Sequence, residues 1–242
     1  MIPPSRFMTR QEESERPLEY ELKLVVPASR APFVQNWLAS AAWPDAKYPP
    51  ARVVTVYFDT RGLRFLGEKD GGDYLKTKVR VRWYAGLVGE AIGSPVFAEC
   101  KYRHGAARKK ARVRLAVTAA DIATWPLTDP SWTALLAPLR AEVPQLPPDL
   151  VPVIRLRYVR CRFADRRGAR VTLDSDIRVE ATNPARVAAP VASTPLPAAV
   201  IEYKAATMDL PRYLAPVVRF GARKAAYSKY LACYEHLTQT SL

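Results

Sequence analysis

Leu75–Tyr84 reads LKTKVRVRWY. Lys76, Lys78, Arg80 and Arg82 occupy every second position, and Thr77, Val79, Val81 and Trp83 fill the gaps. Successive side chains of a β-strand point to opposite faces, so one face of this segment is cationic and the other mostly apolar. Such a strand buries its apolar face and offers the basic one to water or to an anion. The rest of the chain bears on which.

Other segments repeat the pattern. Glu19, Glu21 and Lys23 alternate with Tyr20, Leu22 and Leu24. Phe97, Glu99, Lys101 and Arg103 alternate with Ala98, Cys100 and Tyr102. Arg108, Lys110, Arg112 and Arg114 share one face of 108–115, and Arg170, Thr172, Asp174 and Asp176 share one face of 170–179. With 53–58, 151–163 and 199–205, whose Glu202 and Lys204 share a face, the period of two predicts about eight strands. Helices are expected over 30–40 with Ser29 as N-cap, within 118–142 around Trp125 and Trp132, after Pro211, and over 222–237. Residues 183–197 are rich in Pro and Ala and read as irregular. Strands arriving one after another favour an antiparallel sheet or barrel over a parallel one.

The 242 residues suit one large domain or two small ones, and 49% hydrophobic residues allow a sizeable core. Lys and Arg number 37 against 23 acids, a formal net charge of +14 that calls for anionic company. The cysteines, Cys100, Cys161 and Cys233, are widely spaced, which argues against a disulfide framework or zinc site and for a reducing cytoplasm. His104 and His236 are too distant for a histidine metal site. The glycines of 67–73 are not followed by G-K-[ST], so that turn is no P-loop. No apolar run is long enough to span a bilayer. Residues 1–17 are expected to be a disordered lead-in and 18–242 a single domain. No signal sets an oligomeric state.

Three strands share a small signature: Glu21-Leu22-Lys23, Glu99-Cys100-Lys101 and Glu202-Tyr203-Lys204. Taken singly, each is a solvated face with loose charge pairs. Turned inward together, the cationic faces would repel one another unless an anion filled the space. Phosphate suits such a face, because Arg offers bidentate hydrogen bonds and Lys a point charge. Glu21 and Glu202, with Glu19 and Glu99, offer hard oxygen donors for Mg²⁺ or Mn²⁺ held against phosphate oxygens. The aromatics fall mostly on the apolar faces, not among the cations, which argues against dedicated nucleic-acid reading.

The order of these segments resembles the catalytic domain of the VTC (vacuolar transporter chaperone) family, within the triphosphate tunnel metalloenzymes and related to CYTH proteins. YELKL opens the series; VYFDT, KVRVRWY, AECKYR, the Tyr158-Val159-Arg160 of RLRYVRCRF, RVTLD and IEYKA follow; Ser228-Lys229-Tyr230 closes it. The resemblance covers Glu19 to Leu237. It implies an α+β fold: an antiparallel eight-stranded β-barrel forming a triphosphate tunnel, with flanking helices outside. It implies a polyphosphate polymerase that moves the γ-phosphate of ATP onto a growing chain, with ATP or another triphosphate and polyphosphate as partners and Mn²⁺ or Mg²⁺ as cofactor. By the same resemblance Lys23, Arg80, Arg82, Lys101, Arg160, Arg170 and Lys229 grip phosphates, and Lys78 and Lys204, on the same charged faces, join them. Glu202, with Glu21, holds the metal, and Glu19, Glu99, Ser228 and Tyr158 are further candidates. Glu19-Tyr20-Glu21-Leu22-Lys23 departs from the VTC pattern, because E-x-E-x-K is the CYTH opening and favours a triphosphatase. A polyphosphate-binding module without catalysis is the third reading.

Overall fold

The structure is a computed structural model that describes residues 20–68, 75–88, 94–104, 107–166, 168–191, 194–207 and 209–239. Glu19 and the expected lead-in 1–17 lie outside the described residues. Eight long strands form: β1 (Tyr20–Pro27), β3 (Ala51–Asp59), β4 (Leu75–Ala85), β5 (Pro95–His104), β6 (Ala107–Thr118), β7 (Val151–Ala164), β8 (Arg170–Thr182) and β9 (Ala198–Ala205). Two short strands that the sequence does not announce, β2 (Trp43–Pro44) and β10 (Arg223–Lys224), extend the set. All pair antiparallel in one sheet of order β10-β1-β9-β8-β7-β3-β4-β5-β6, with β2 beside β7. The antiparallel α+β class is as expected. The closed eight-stranded barrel is not: the sheet has ten strands, and β6 and β10 are open edges. Exposed Lys109 and Lys110 on β6, and the two-residue length of β10, blunt those edges against pairing with other chains.

Though open, the sheet is curled. Lys101 on β5 and Glu21 on β1 are electrostatic neighbours, as are Lys78 on β4 and Lys23 on β1. Six strand spacings separate β1 from β5 in the sheet order. Laid flat they would span about 29 Å, well beyond the range of screened charges. Curling the alternating strands puts their charged side chains on the concave face and their apolar ones outside.

Two clusters cover the outside. Val54, Val56, Phe58, Val79, Val81, Trp83, Ala98 and Cys100 pack beneath three short helices, Ala119–Ile122, Ser131–Ala134 and Ala137–Glu142, through Ile122, Trp132, Leu136 and Leu139. Thr118 and Asp121 close a capping box on the first of these. Leu24, Val26, Val171, Leu173, Ile201 and Tyr203 pack against Val34 and Leu38 of helix Ala31–Ala41 and Leu214 and Val217 of the 3-10 helix Arg212–Phe220. Ser29 is not the cap expected: it sits in a 3-10 turn, and Arg30 precedes the helix without a side-chain cap bond.

The C-terminal helix differs most from expectation. It spans Lys229–Thr238, not 222–237, because Arg223 and Lys224 pair with β1 instead. It also does not lie outside. Its Tyr230, Leu231, Cys233 and Leu237 pack on Val53, Tyr57, Leu156, Tyr158 and Val200. Val53 and Tyr57 alternate along β3 with the outward Val54, Val56 and Phe58, so this helix occupies the concave face. That end of the concave face is apolar, and burying side chains such as Leu231 and Leu237 against it stabilises the fold by about 1.5–3 kcal/mol each. Asp59 of VYFDT fixes the helix further. Its carboxylate accepts backbone N–H groups of Thr60, Phe65 and Leu66 at 2.7, 2.8 and 3.0 Å, and the Tyr230 hydroxyl at 3.0 Å.

Candidate active site

The helix plugs only part of the concave face, and the remainder is charged. Its β4–β5 side is overwhelmingly cationic. Arg80 donates through Nε to Glu99 at 2.7 Å and reaches it through a second nitrogen at 2.6 Å. Arg112 of β6 and Arg82 approach the same carboxylate at 3.3 and 3.8 Å. Arg82 Nε also donates to Thr55 on β3 at 3.1 Å. Burial opposes the charge on Glu99, but Arg80 and Arg82 outweigh it and hold the carboxyl well below its usual range. Beside this cluster, Lys78 and Lys101 pair across the strands with neither a hydrogen bond nor an ion pair among the described residues. Burial, with Lys23 and Arg80 nearby, lowers Lys78 to about 7; burial and Arg80 lower Lys101 to about 8.

The β8–β9 side is ion-paired. Arg160 on β7 grips Asp174 on β8 with two nitrogens, each at 2.6 Å. Lys229, at the start of the C-terminal helix, reaches the same carboxylate at 2.6 Å and lies 4.9 Å from the centre of the Tyr158 ring. Asp174 is wholly buried; burial raises its pKa, and Arg160 and Lys229 more than reverse that. Glu202 on β9 faces Lys229, Arg160 and Lys23 at 3.7, 3.6 and 3.9 Å, all long, and makes no shorter contact among the described residues. Burial works against its charge, yet Lys229 and Arg160 keep its pKa far below normal. Glu21 lies between Lys23 at 3.1 Å and Lys204 at 3.3 Å. Despite burial, those lysines bring it down to about 2.

The sequence-predicted residues therefore fall on one face. Lys23, Lys78, Arg80, Arg82, Lys101, Arg160, Lys204, Lys229, Glu21, Glu99, Glu202 and Tyr158 are all drawn together there. Arg170 sits opposite Lys204 at the rim of that face. Ser228 precedes the C-terminal helix but makes no side-chain cap bond. The Tyr158 hydroxyl is buried without a hydrogen-bond partner among the described residues. The sequence places Asp174 on the face of Arg170 as a partner for basic neighbours, as Arg160 and Lys229 prove to be, but names neither Asp174 nor Arg112 as a site residue. Both were accessible to the period of two: Asp174 shares parity with Arg170, and Arg112 stands directly opposite Glu99. Asp176 shares that parity but not the face. Its φ of 49° breaks the alternation and turns it to Arg157 and Arg178.

Residues 18–238 match the VTC domain, and the chain belongs to that family. Among solved structures, it superposes on a candidate adenylyl cyclase from Hippeastrum with a dominant triphosphatase activity, at TM-score 0.53 and 15% identity, covering 90% of this chain and 96% of that one. A candidate adenylate cyclase from Bacillus halodurans gives TM-score 0.51 and 13% identity over 88% of this chain and 94% of that one. At these identities the likeness concerns the fold. No curated protein matches the sequence. Among the described residues no helix is long and apolar enough to cross a membrane.

Proposed function

We propose that the protein is a metal-dependent enzyme acting on triphosphates, and within that class a polyphosphate polymerase that transfers the γ-phosphate of ATP to a growing polyphosphate chain. The observation that carries this reading is the uncompensated charge of the β4–β5 side. Arg80, Arg82 and Arg112 share the carboxylate of Glu99, and beside them Lys78 and Lys101, without an ion pair among the described residues, are depressed by burial and by the neighbouring cations. A triphosphate supplies that counter-charge.

Phosphoryl transfer needs in-line positioning and neutralised oxygens more than covalent help. Arg80, Arg82 and Lys101 would hold the donor, and Arg160 and Lys229, fixed by Asp174, would stabilise charge on the oxygens in motion. An acceptor phosphate is already ionised near neutral pH and needs no strong base. The residues also fit a hard divalent ion. Among the described residues no three His, Cys, Asp or Glu side chains cluster into a ready metal cage, but Mg²⁺ and Mn²⁺ sites commonly use one or two carboxylates and complete themselves with phosphate. Glu202, ionised and held only by contacts of 3.6–3.9 Å, has oxygens to give, with Glu21 beside it. The metal would add positive charge against the phosphoryl oxygens.

A triphosphatase is the second reading. It is favoured by the E-x-E-x-K opening and by the dominant activity of the Hippeastrum protein. Incubation of pure protein with ATP and Mn²⁺ separates the two. Long-chain polyphosphate with ADP establishes the polymerase; orthophosphate from tripolyphosphate without polymer establishes the hydrolase. Binding without turnover of either would leave a polyphosphate-binding module.

A further inference from the structure

Where β2, the start of β3 and the ends of β4 and β7 meet, cations and aromatic rings alternate. Arg162 on β7 lies two residues beyond Arg160 and so on the same, concave face. Its guanidinium stands 5.4 Å from the centre of the Tyr84 ring and 5.5 Å from that of Tyr48. It makes no hydrogen bond or ion pair among the described residues. Tyr84 is the inward residue two positions after Arg82, and its hydroxyl feels Arg82, Glu99, Arg112 and Arg160. The row thus begins inside the phosphate-binding cluster. It ends at the surface: Tyr48 is 50% exposed, with the Lys47 ammonium 5.4 Å from its ring. Tyr48 is not a loose side chain on a free loop. Asp45 accepts the backbone N–H groups of Lys47 and Tyr48 at 3.0 and 3.2 Å, and the Asp45 N–H is tied to the Arg162 carbonyl at 3.0 Å.

Two tyrosine rings flanking an arginine with unspent donors make a platform for a flat, hydrogen-bonding ring. Bases stack on such rings whatever their identity, and arginine adds a cation–π contact and donors for base or phosphate oxygens. Neither inorganic triphosphate nor polyphosphate has a group that uses an aromatic surface.

We propose that Tyr48, Arg162 and Tyr84 form a nucleobase subsite at this end of the concave face, which takes the base of a nucleoside triphosphate whose phosphates lie on Arg80, Arg82 and Arg160. This rests on the triphosphate reading above and gives it a nucleotide as donor. Because base and phosphates bind different residues, the two ideas separate experimentally. Dissociation constants for ATP and for tripolyphosphate are measured on the full chain, wild type, Tyr48→Ala and Tyr48→Phe. A stacked base contributes enough that Tyr48→Ala should weaken ATP about tenfold, leave tripolyphosphate within about twofold, and be rescued by Tyr48→Phe. Half-exposed Tyr48 is outside the buried core, so its truncation leaves the sheet intact. ATP affinity unchanged in Tyr48→Ala, or ATP and tripolyphosphate weakened together, overturns the subsite while the triphosphate site stands. Wild-type protein that binds neither ligand overturns both.

Discussion

The two sides of the concave face solve opposite electrostatic problems. On the β8–β9 side, Asp174, Glu202 and Glu21 are interleaved with Arg160, Lys229, Lys23 and Lys204, so the charges largely neutralise within the protein. On the β4–β5 side, Arg80, Arg82 and Arg112 crowd the one carboxylate of Glu99, and Lys78 and Lys101 have no ion pair among the described residues. The first is held without a ligand; in the proposed function a triphosphate completes the second. Buried ion pairs do little for net stability by themselves, but losing one partner leaves a buried charge uncompensated. The paired side should therefore answer to mutation chiefly in stability, and the unpaired side chiefly in binding.

Asp174→Asn tests the paired side and should have the largest effect. Arg160 and Lys229 would stay buried without their 2.6 Å partner, and unfolding by denaturant should show a loss of about 3–5 kcal/mol. A loss below about 1 kcal/mol would break the contrast. Arg80→Ala combined with Arg82→Ala tests the unpaired side. Tripolyphosphate affinity, followed by titration calorimetry, should fall at least about 100-fold, since each charge-assisted contact contributes roughly 1.5–3 kcal/mol. Unchanged affinity would mean that these arginines do not face the ligand. Glu202→Gln comes next. Its ion pairs are longer than those of Asp174, so the melting temperature should fall less than in Asp174→Asn, whereas the Mn²⁺ dependence of any phosphate chemistry should weaken on the order of tenfold. Full metal-dependent activity in this variant removes Glu202 as a ligand.

The smallest effect sharpens the comparison through pH. Lys78, lowered to about 7, and Lys101, to about 8, titrate below an ordinary lysine. A bound anion raises both values, so binding takes up protons, and tripolyphosphate affinity should fall several-fold as pH rises from about 6 to about 9. The ligand-free fold moves the other way. Between about 7 and 10.5 the unfolded chain holds more protons at Lys78 than the folded one, so stability rises with pH across that window and is lost as pH falls through the folded value. Lys78→Met should flatten both trends, raising ligand-free stability at neutral pH while weakening the anion. If Lys78→Met leaves both pH trends unaltered, Lys78 does not carry the uncompensated charge.

Much of this was legible in the sequence, for a reason particular to such strands. KVRVRWY, ELKL and IEYK keep a strict period of two, so a segment's extent and its charged side follow from the same residues. The longest strands extend only a few residues past that reading. The period does not say which way a sheet bends, and inward orientation rests on charges from β1 and β5 meeting across the curl. It also fails where the backbone departs from it, as at Asp176. Ala222–Ala226 looked helical because its composition is; the open edge of β1 draws Arg223 and Lys224 into the sheet instead. The C-terminal helix was legible as a helix but not as a plug, since its apolar residues fit an outer and an inner face equally well. Tyr48, Arg162 and Tyr84 are distant in sequence and share no spacing that would have joined them.

The central claim is that the unpaired β4–β5 side is a triphosphate site. A crystal structure with tripolyphosphate and Mn²⁺ tests it most directly. The account predicts phosphate density on the concave face, bonded to Arg80, Arg82 and Lys101, with the metal between it and Glu202. Tripolyphosphate bound only on the outer surface, with those three side chains still facing Glu99 and solvent, would contradict it.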